Sequence, residues 1–598
     1  MIRVADYIMQ RVCGEGVHHV FYVPGGQCVY LTDALRRNEG IEPISVHHEQ
    51  AAAMAAVTYS LYSNNFGACL VTTGCAGTNT MTGVLHAWQD SIPCIFISGQ
   101  QNYSETIAAS GLPLRQVGVQ EADIVKLVSP ITKYAVMITD AADIAYELDK
   151  AIFEARNGRQ GPVWIDVPLN IQNTMVDEES LRRYEGKYDV YETSGDDISY
   201  VVGKLKNAKR PILIAGEGVR RAKAITELKE FAHKVNIPVV FTRLTADLFQ
   251  NDDPMKMGIL CATGPNREAN FAVQNSDLIL SVGCRLSIDT IGSDASSFGR
   301  EAEIIVVDID ETEHKKKGVS IDRFVRADAG DFLRRLILAE ISYDDGFWIE
   351  KCMHWKELFN GEAYITQTEK INFKEFLKSF SKMLPPESIY LSDAGMTGVA
   401  PAACCDFKEG DRYLHSYAQG EMGYAIPGAV GAACLGKGKI FAISGDGSFM
   451  MNLQELQTIV RNKFNITIVI NNNNGYSGVR HGQKAHFRGK SIGTDSSNGL
   501  DFPDFQKISE AFGITYFRIE KESEIQSITA KILEQTGCVI CEVISDENQF
   551  EIHNALVTYG KRKFGFRPIE DQSPFIDRDV FFEEMIVKPM ETSYGKPV

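Results

Sequence analysis

Residues 445–476 read GDGSFMMNLQELQTIVRNKFNITIVINNNNGY. The run before them, 440–444, is short and apolar, as a buried strand is, and a tight Gly-Asp-Gly turn ends it. Phe449, Leu453, Leu456 and Val460 then recur at helical spacing, and a second strand-like run covers 466–470. Four asparagines and a glycine close the stretch. Such a strand–turn–helix–strand unit sets an acid at one strand end and amides at the next. Together they offer the oxygen ligands that a hard cation such as Mg²⁺ takes in octahedral geometry. A helix starting near Ser448 would aim its free N–H groups at the same point, where a diphosphate could sit.

The same alternation extends outward from this unit. Upstream, HHVFYVPGG, GACLVTTG (67–74) and PCIFISGQ (93–100) are apolar runs separated by helix-like segments, the pattern of a parallel sheet covered on both faces. PILIAGEG, IPVVFT, DLILSVG and EIIVVDID repeat it between 211 and 310. The expected fold class is therefore α/β, with three doubly wound parallel-sheet domains at 1–172, 190–342 and 373–550. The polar stretches 172–198 and 342–372 read as linkers. Residues 551–598, rich in charge, aromatics and proline, read as a C-terminal arm that could cover the active site. Ligands of such sheets bind at the carboxyl ends of strands, so the glycine turns at Gly25, 74–79 and Gly99 mark a candidate rim. Gly216-Glu217-Gly218 is a fragment of a dinucleotide fingerprint and reads more readily as a structural turn.

A chain of 598 residues is too long for one core. Its net charge of −17, with no compensating basic run, argues against a nucleic-acid partner. Thirteen cysteines in apolar surroundings fit reduced, buried thiols. The single C-x-x-C, Cys538 to Cys541, falls in a strand-like run that would turn its thiols to opposite faces. No signal-peptide core and no membrane-length apolar run occurs, so a cytoplasmic location without membrane contact is expected.

Gly-Asp-Gly, then Asn473-Asn474-Gly475 after the next strand, is similar to the diphosphate motif of the thiamine-diphosphate enzymes. VHHEQAAAMAA (46–56), residues 71–100, QGEMGYAIPGAVGA (419–432) and GDGSFMMNLQEL follow in that family's order. The resemblance covers nearly the whole chain and is closest to the acetolactate (acetohydroxyacid) synthase-like branch. It implies thiamine diphosphate and Mg²⁺ as cofactors. Asp446, Asn473 and the Gly475 carbonyl would hold the metal, with Asn474 the alternative because the asparagine run blurs the register. Gly445, Gly447, Ser448 and Tyr476 would border the diphosphate, and Gly25, Gly395 and Met396 would also touch the cofactor.

By the same resemblance Glu49 is the catalytic glutamate. It would hydrogen-bond the aminopyrimidine and favour the imino tautomer that takes the C2 proton. Met422 would prop the cofactor in a bent form, the Gly420 carbonyl would accept from its amino group, and Gln120 would stand near the substrate.

The implied reaction decarboxylates pyruvate or a similar 2-oxo acid to a hydroxyethyl carbanion on the cofactor, then adds it to a carbonyl acceptor. A 2-oxo acid decarboxylase, a 2-hydroxyacyl lyase and a cyclic-dione hydrolase use the same cofactor and stay open as alternatives. An inactive paralogue is disfavoured by Glu49, Asp446, Asn473 and Met422. A homodimer or homotetramer with sites at the subunit interface is implied too.

The resemblance loosens at two places. Val119-Gln120-Glu121 and Arg480-His481-Gly482-Gln483 stand where the synthases carry Phe-Gln-Glu and Arg-Gln-Trp-Gln. The donor half of the site is expected to be kept and the acceptor half changed, which leaves the acceptor open between a second pyruvate and something larger, such as an aldehyde or a ketosugar. GCRLSID (283–289) and VVDIDETE (306–313) partly echo the segment where synthases hold FAD. That match leaves FAD undecided, with Arg285 the residue to inspect.

Overall fold

The computed structural model describes residues 1–264, 266–341, 346–359, 369–436, 438–549, 553–561 and 563–597. Each apolar run becomes a strand where the pattern places it. His19–Tyr22, Gly67–Val71 and Cys94–Gln100 lie in one six-stranded parallel sheet, Pro211–Ala215, Leu278–Val282 and Glu303–Asp308 in a second, and Ile440–Gly445 and Ile466–Asn472 in a third. These strands are buried on both faces, which is why they read as continuous apolar runs.

Counted in chain order within each sheet, the first and third share the order 2-1-3-4-6-5, and the central sheet has 3-2-1-4-5-6. Each order reverses at its first strand, and the crevice at that reversal is where an open parallel sheet binds ligands. In the third sheet that point lies between the ends of Ile389–Ser392 and Ile440–Gly445, beside Gly395 and Asp446. In the first it lies between His19–Tyr22 and Gly67–Val71, beside Gly25. In the central sheet it lies between Pro211–Ala215 and Leu278–Val282, beside Gly216.

The outer domains share one apolar core, from Phe21 and Cys69 to Ile468 and Ile540. Helices Glu49–Ser63 and Ala425–Ala433 pack against each other there through alanine and glycine. The approach is so close that a Cβ on Gly431 would stand 2.2 Å from the Ala55 carbonyl oxygen. Thr58 and the Tyr424 hydroxyl, 2.7 Å apart, join the same two helices.

Three expectations change. The helix after Gly445 is two helices, Asp446–Met451 and Glu455–Asn462, broken around Asn452. Asn452 uses its side chain elsewhere, as shown below. The stretch 342–372 is more than a linker. Its helix Gly346–Leu358 buries Trp348, Cys352 and Trp355 along one face, and Trp348 Nε1 donates to the Pro211 carbonyl at 2.9 Å. Residues 342–345 and 360–368 of that stretch lie outside the described residues. Within 172–198, Met175–Val176 pairs with Ile2–Arg3, and helix Gly195–Asn207 has already begun.

The described part of the C-terminal arm rests on the central domain. Ile569, Ile576 and Phe581 join a cluster with Phe271, Trp348 and Trp355. Arg267, fully buried, donates to the carbonyls of Gln572 and Pro574. Glu570 accepts from Gln274 Nε2 and Arg300 Nη1, each at 2.8 Å.

Candidate active site

At the carboxyl end of Ile440–Gly445 the chain turns directly into helix Asp446–Met451. Asp446 is buried, and its carboxylate accepts from the Gly447 N–H at 2.7 Å and the Gly475 N–H at 2.8 Å. Burial pushes its pKa up to about 6, and the bonds from Gly475 and Gly447 oppose that rise. Gly475 has φ +122°, and a Cβ there would stand 1.9 Å from the Thr494 carbonyl oxygen, so only glycine fits. Tyr476 lies over Gly447, where a Cβ would meet its ring at 2.1 Å. Ser448 is buried one residue further on.

The asparagines divide their work. Asn473 is buried and donates through Nδ2 to Ser477 Oγ at 3.0 Å. Asn474, at φ +57°, sends its Nδ2 outward to Glu547 at 3.3 Å. Arg480 clips the loop from behind, donating to the Asn474 carbonyl at 2.8 Å and the Asn473 carbonyl at 3.1 Å.

Glu49 opens helix Glu49–Ser63. Asn79 Nδ2 donates to its Oε2 at 2.9 Å, which ties it to the turn at 74–79. Gln120 meets the same turn from the other side. Its backbone is left-handed, at φ +63°, and a Cβ on Gly74 would strike its carbonyl oxygen at 2.2 Å. The Gln120 side chain is exposed. Glu121, by contrast, is buried and pins this loop by accepting from Val117 N–H at 2.8 Å and Gly118 N–H at 3.2 Å. Gly25 is extended against Thr72, 2.4 Å from a built Cβ.

Gly420 and Met422 sit in a turn between the strand Arg412–His415 and the helix Ala425–Ala433. Asn452 Nδ2 donates to the Gly423 carbonyl at 2.8 Å and to Gln50 Oε1 at 3.2 Å. One side chain thus joins the residue after Glu49 to the residue after Met422. Gly395, at φ +63°, caps helix Met396–Cys404, whose Met396 and Thr397 are buried.

Sequence reasoning passed over the buried acids that brace these turns. Asp393 accepts from the Ala425 N–H at 2.6 Å and from Ser444 Oγ, just ahead of Gly445. Burial pushes its carboxyl up to about 7. Its place at a strand end, like that of Asp446, was the available signal. Glu455 accepts from the His47 N–H at 3.0 Å and from Thr458 Oγ1 at 2.6 Å, across the two domains.

Gly482 is exposed on helix Ser477–His486, and a Cβ built there meets nothing within 4 Å. Val119 is 76% exposed. The two positions where aromatic bodies were expected to be missing therefore open outward.

A cavity of about 330 Å³ lies at the reversal point of the central sheet. Gly216, Gly218 and Gly283 floor it, Arg159, Arg221 and Arg285 reach it, and Tyr417 closes it toward the third domain. The guanidinium nitrogens Nε, Nη1 and Nη2 of Arg221 are buried without a hydrogen-bond partner. Gly216 is needed for packing, since a Cβ would stand 2.1 Å from the Gly283 carbonyl oxygen. Cys538 and Cys541 are both free thiols.

Three family models match in chain order. They are the thiamine pyrophosphate enzyme N-terminal TPP binding domain (residues 2–127), central domain (198–336) and C-terminal TPP binding domain (393–543). The acetolactate synthase large subunit of Corynebacterium glutamicum is 33% identical over 518 residues, 85% of this chain and 80% of its own length. That of Buchnera aphidicola is 30% identical over 535 residues, 87% and 90%. The Escherichia coli isozyme 3 large subunit is 29% identical over 553 residues, 90% and 93%. Three matched domains, each an α/β layer of the observed kind, and relatives aligned along most of the chain lead to one conclusion: the chain belongs to the thiamine pyrophosphate enzyme family, as an acetolactate synthase-like enzyme.

Proposed function

We propose that this enzyme decarboxylates pyruvate or a close 2-oxo acid and joins the two-carbon unit to a carbonyl acceptor bulkier than a second 2-oxo acid. The observation that carries the reading is the buried carboxylate of Asp446, held by the Gly447 and Gly475 amides beside Asn473. One carboxylate, one amide oxygen and one backbone carbonyl suit Mg²⁺, which keeps the rest of its octahedron for phosphate oxygens and water. Asn473 is favoured over Asn474 as the ligand, because Asn473 is buried while Asn474 is half-buried and turns its amide outward to Glu547. The Ser448 N–H, at the start of helix Asp446–Met451, would meet a diphosphate, and Gly447, whose N–H donates to Asp446 Oδ1, would border it.

Thiamine diphosphate, when bound, supplies the nucleophilic carbon and the electron sink for decarboxylation. The chain supplies the proton handling. Glu49, oriented by Asn79, would hydrogen-bond a ring nitrogen of the cofactor and favour loss of its C2 proton. The Gly420 carbonyl would accept from the cofactor's amino group, and Met422 would pack against the cofactor. Gln120 reaches the substrate from the rim.

The exposed Gly482 and Val119 support a large acceptor, an aldehyde or a ketosugar, because the space stands open where a bulky side chain would restrict it. A second copy of the chain is proposed to complete each site, as a homodimer or homotetramer. In support, apolar side chains remain exposed on the site loops, among them Val119, Met450, Met451 and Phe487. Among the described residues no helix is long and apolar enough to cross a membrane. The Arg221 guanidinium, which makes no hydrogen bond and lies 3.8 Å from Glu217 Oε1, and the glycine floor of the central cavity fit the diphosphate of a nucleotide such as FAD. Flavin released on denaturing the purified protein would be read directly by its visible absorbance.

Carbon dioxide release from pyruvate, with and without aldehyde or ketosugar acceptors, tests the reaction. Product analysis separates the readings. A new carbon–carbon bond identifies a carboligase, and its absence with every acceptor leaves decarboxylase, lyase or dione hydrolase. No release at all from any 2-oxo acid would sink the proposal.

A further inference from the structure

Helix Met81–Gln89 of the first domain ends against the turn that carries Gly420 and Met422. His86, on this helix, is wholly buried. Its Nδ1 lies 3.2 Å from Glu421 Oε1 and its Nε2 lies 3.4 Å from Asp90 Oδ2. The Tyr424 ring stands edge-on at 5.1 Å. Asp90 reaches the same turn, accepting from the Tyr417 N–H at 2.9 Å and the Ala418 N–H at 3.2 Å. Gln419 Nε2 donates to Gln89 Oε1, and Ser416 Oγ to Glu421 Oε2. One helix end therefore grips four residues of the turn 416–421, and the Ser416 bond closes the turn on itself.

Geometry dictates what the grip does. Glu421 lies between Gly420 and Met422 and points its carboxylate into the first domain, 9% exposed. Its neighbours are then left to present a carbonyl and a side chain elsewhere. Two carboxylates, those of Asp90 and Glu421, approach a single imidazole in a water-poor space. Both stay ionised there only if the imidazole between them is protonated, since an uncompensated buried charge is costly. Without that cation Glu421 is driven back toward water, and the turn rotates with it. Gly420 has φ +54° and Gly423 φ +81°, conformations that glycine adopts freely, so such a rotation meets little backbone resistance.

We propose that His86, clamped between Glu421 and Asp90, is a positioning residue that fixes the height and rotation of the Gly420–Met422 turn against the cofactor. His86 does not touch the cofactor in this scheme. It acts through Glu421, and the proposal rests on the placement of Gly420 and Met422 given under the proposed function.

The test uses the full-length protein with His86→Gln and, separately, Glu421→Gln. The second variant removes the charge while keeping the shape and the Ser416 bond, so it decides the matter should the first fail to fold. Hydrogen–deuterium exchange of the cofactor-free protein reads the clamp itself. Amides at 417–422 should exchange at least about tenfold faster in both variants, while strand Ile440–Gly445 keeps its protection. With thiamine diphosphate and Mg²⁺ added, C2 proton exchange and kcat should fall by about tenfold to a hundredfold, the scale of a small misplacement, with KM for the 2-oxo acid nearly constant.

Unchanged protection at 417–422 in a folded variant overturns the clamp. So does C2 exchange at the wild-type rate. Wild-type C2 exchange without carbon dioxide release from any 2-oxo acid would instead sink the proposed reaction, and the clamp would be judged on the exchange data alone.

Discussion

Asp446 and Gly475, twenty-nine residues apart, are joined by a 2.8 Å hydrogen bond from the Gly475 amide to the Asp446 carboxylate. The bond closes the proposed metal cradle without any metal. It also means that the acid does two jobs, so its removal should damage both. Asp446→Ala is expected to weaken Mg²⁺-dependent thiamine diphosphate binding by at least about a hundredfold, or about 2.7 kcal/mol. Calorimetric titration of the cofactor, with and without Mg²⁺, measures it. A variant that still binds the pair with wild-type affinity would remove Asp446 from the metal site.

Glu49→Gln separates proton handling from binding. The amide still accepts from Asn79, so the helix start should hold, but it cannot drive the tautomer shift. Turnover is expected to drop by about a hundredfold to ten-thousandfold, as when a general base is lost, with cofactor affinity nearly kept. Carbon dioxide release and a binding titration on the same sample read the two halves. Full turnover in this variant would overturn the role given to Glu49.

The sequence carried the fold well because both its signals were local. Apolar runs such as 278–282 became strands as written, and the turn glycines at 216, 395 and 475 sit where the backbone admits little else. The proximity of Asp446 to the asparagine loop was legible for the same reason, as the acid and the amides follow adjacent strands. What could not be read was long-range. Nothing in LHAWQDS marks His86 as the partner of Glu421, 335 positions away, and a buried histidine reads as core. Trp348 and Trp355 were taken for linker residues because one apolar stripe on a polar helix shows no destination until the central sheet is placed beside it. The break at Asn452 was hidden too, since apolar spacing continued across it while its amide was committed to Gly423 and Gln50.

Gly447 has no room for a side chain. A Cβ would overlap the Tyr476 ring at 2.1 Å, so Gly447→Ala must push Tyr476 away from the diphosphate loop. Overpacking of this kind typically costs about 1–3 kcal/mol. We expect a lower melting temperature and a larger fractional loss in cofactor affinity than in stability. Tyr476→Ala in the same background should restore part of the lost stability, and thermal melts of the three variants check this. No recovery would show that the ring is not what Gly447 accommodates.

The His86 clamp also sets a pH window. Burial alone would lower the imidazole pKa, but Glu421 and Asp90 override it and hold the group at about 9, against 6.5 for free histidine. A folded pKa above the unfolded one means that the stabilisation is fully present below about 6.5 and is lost as pH rises through about 9. The groups facing the imidazole are Asp90 on its own helix, Glu421 and the Tyr424 ring. The melting temperature of wild type should therefore exceed that of His86→Gln most near pH 6, with the gap narrowing in alkali. A gap that is constant from pH 6 to about 10, spanning both values, would rule out a protonated clamp.

Gly482 is proposed to decide between acceptors, and the open space around it makes the experiment clean. The residue is exposed on helix Ser477–His486, with open space for 4 Å around a built Cβ. Glycine inside a helix costs about 0.8–1.0 kcal/mol relative to alanine, so replacing it should not destabilise the fold. Gly482→Trp would return a body of about 150–250 Å² to the mouth of the site. If that mouth admits the acceptor, the substitution should penalise a bulky aldehyde or ketosugar and spare a second pyruvate. A change of about tenfold or more in the product ratio corresponds to 1.4 kcal/mol, within the range one pocket contact supplies. Competition between pyruvate and the larger acceptor in one reaction, with both ligation products quantified, measures it. An unchanged ratio, with the melting temperature preserved, would place acceptor selection elsewhere and remove the helix after Tyr476 from the specificity argument.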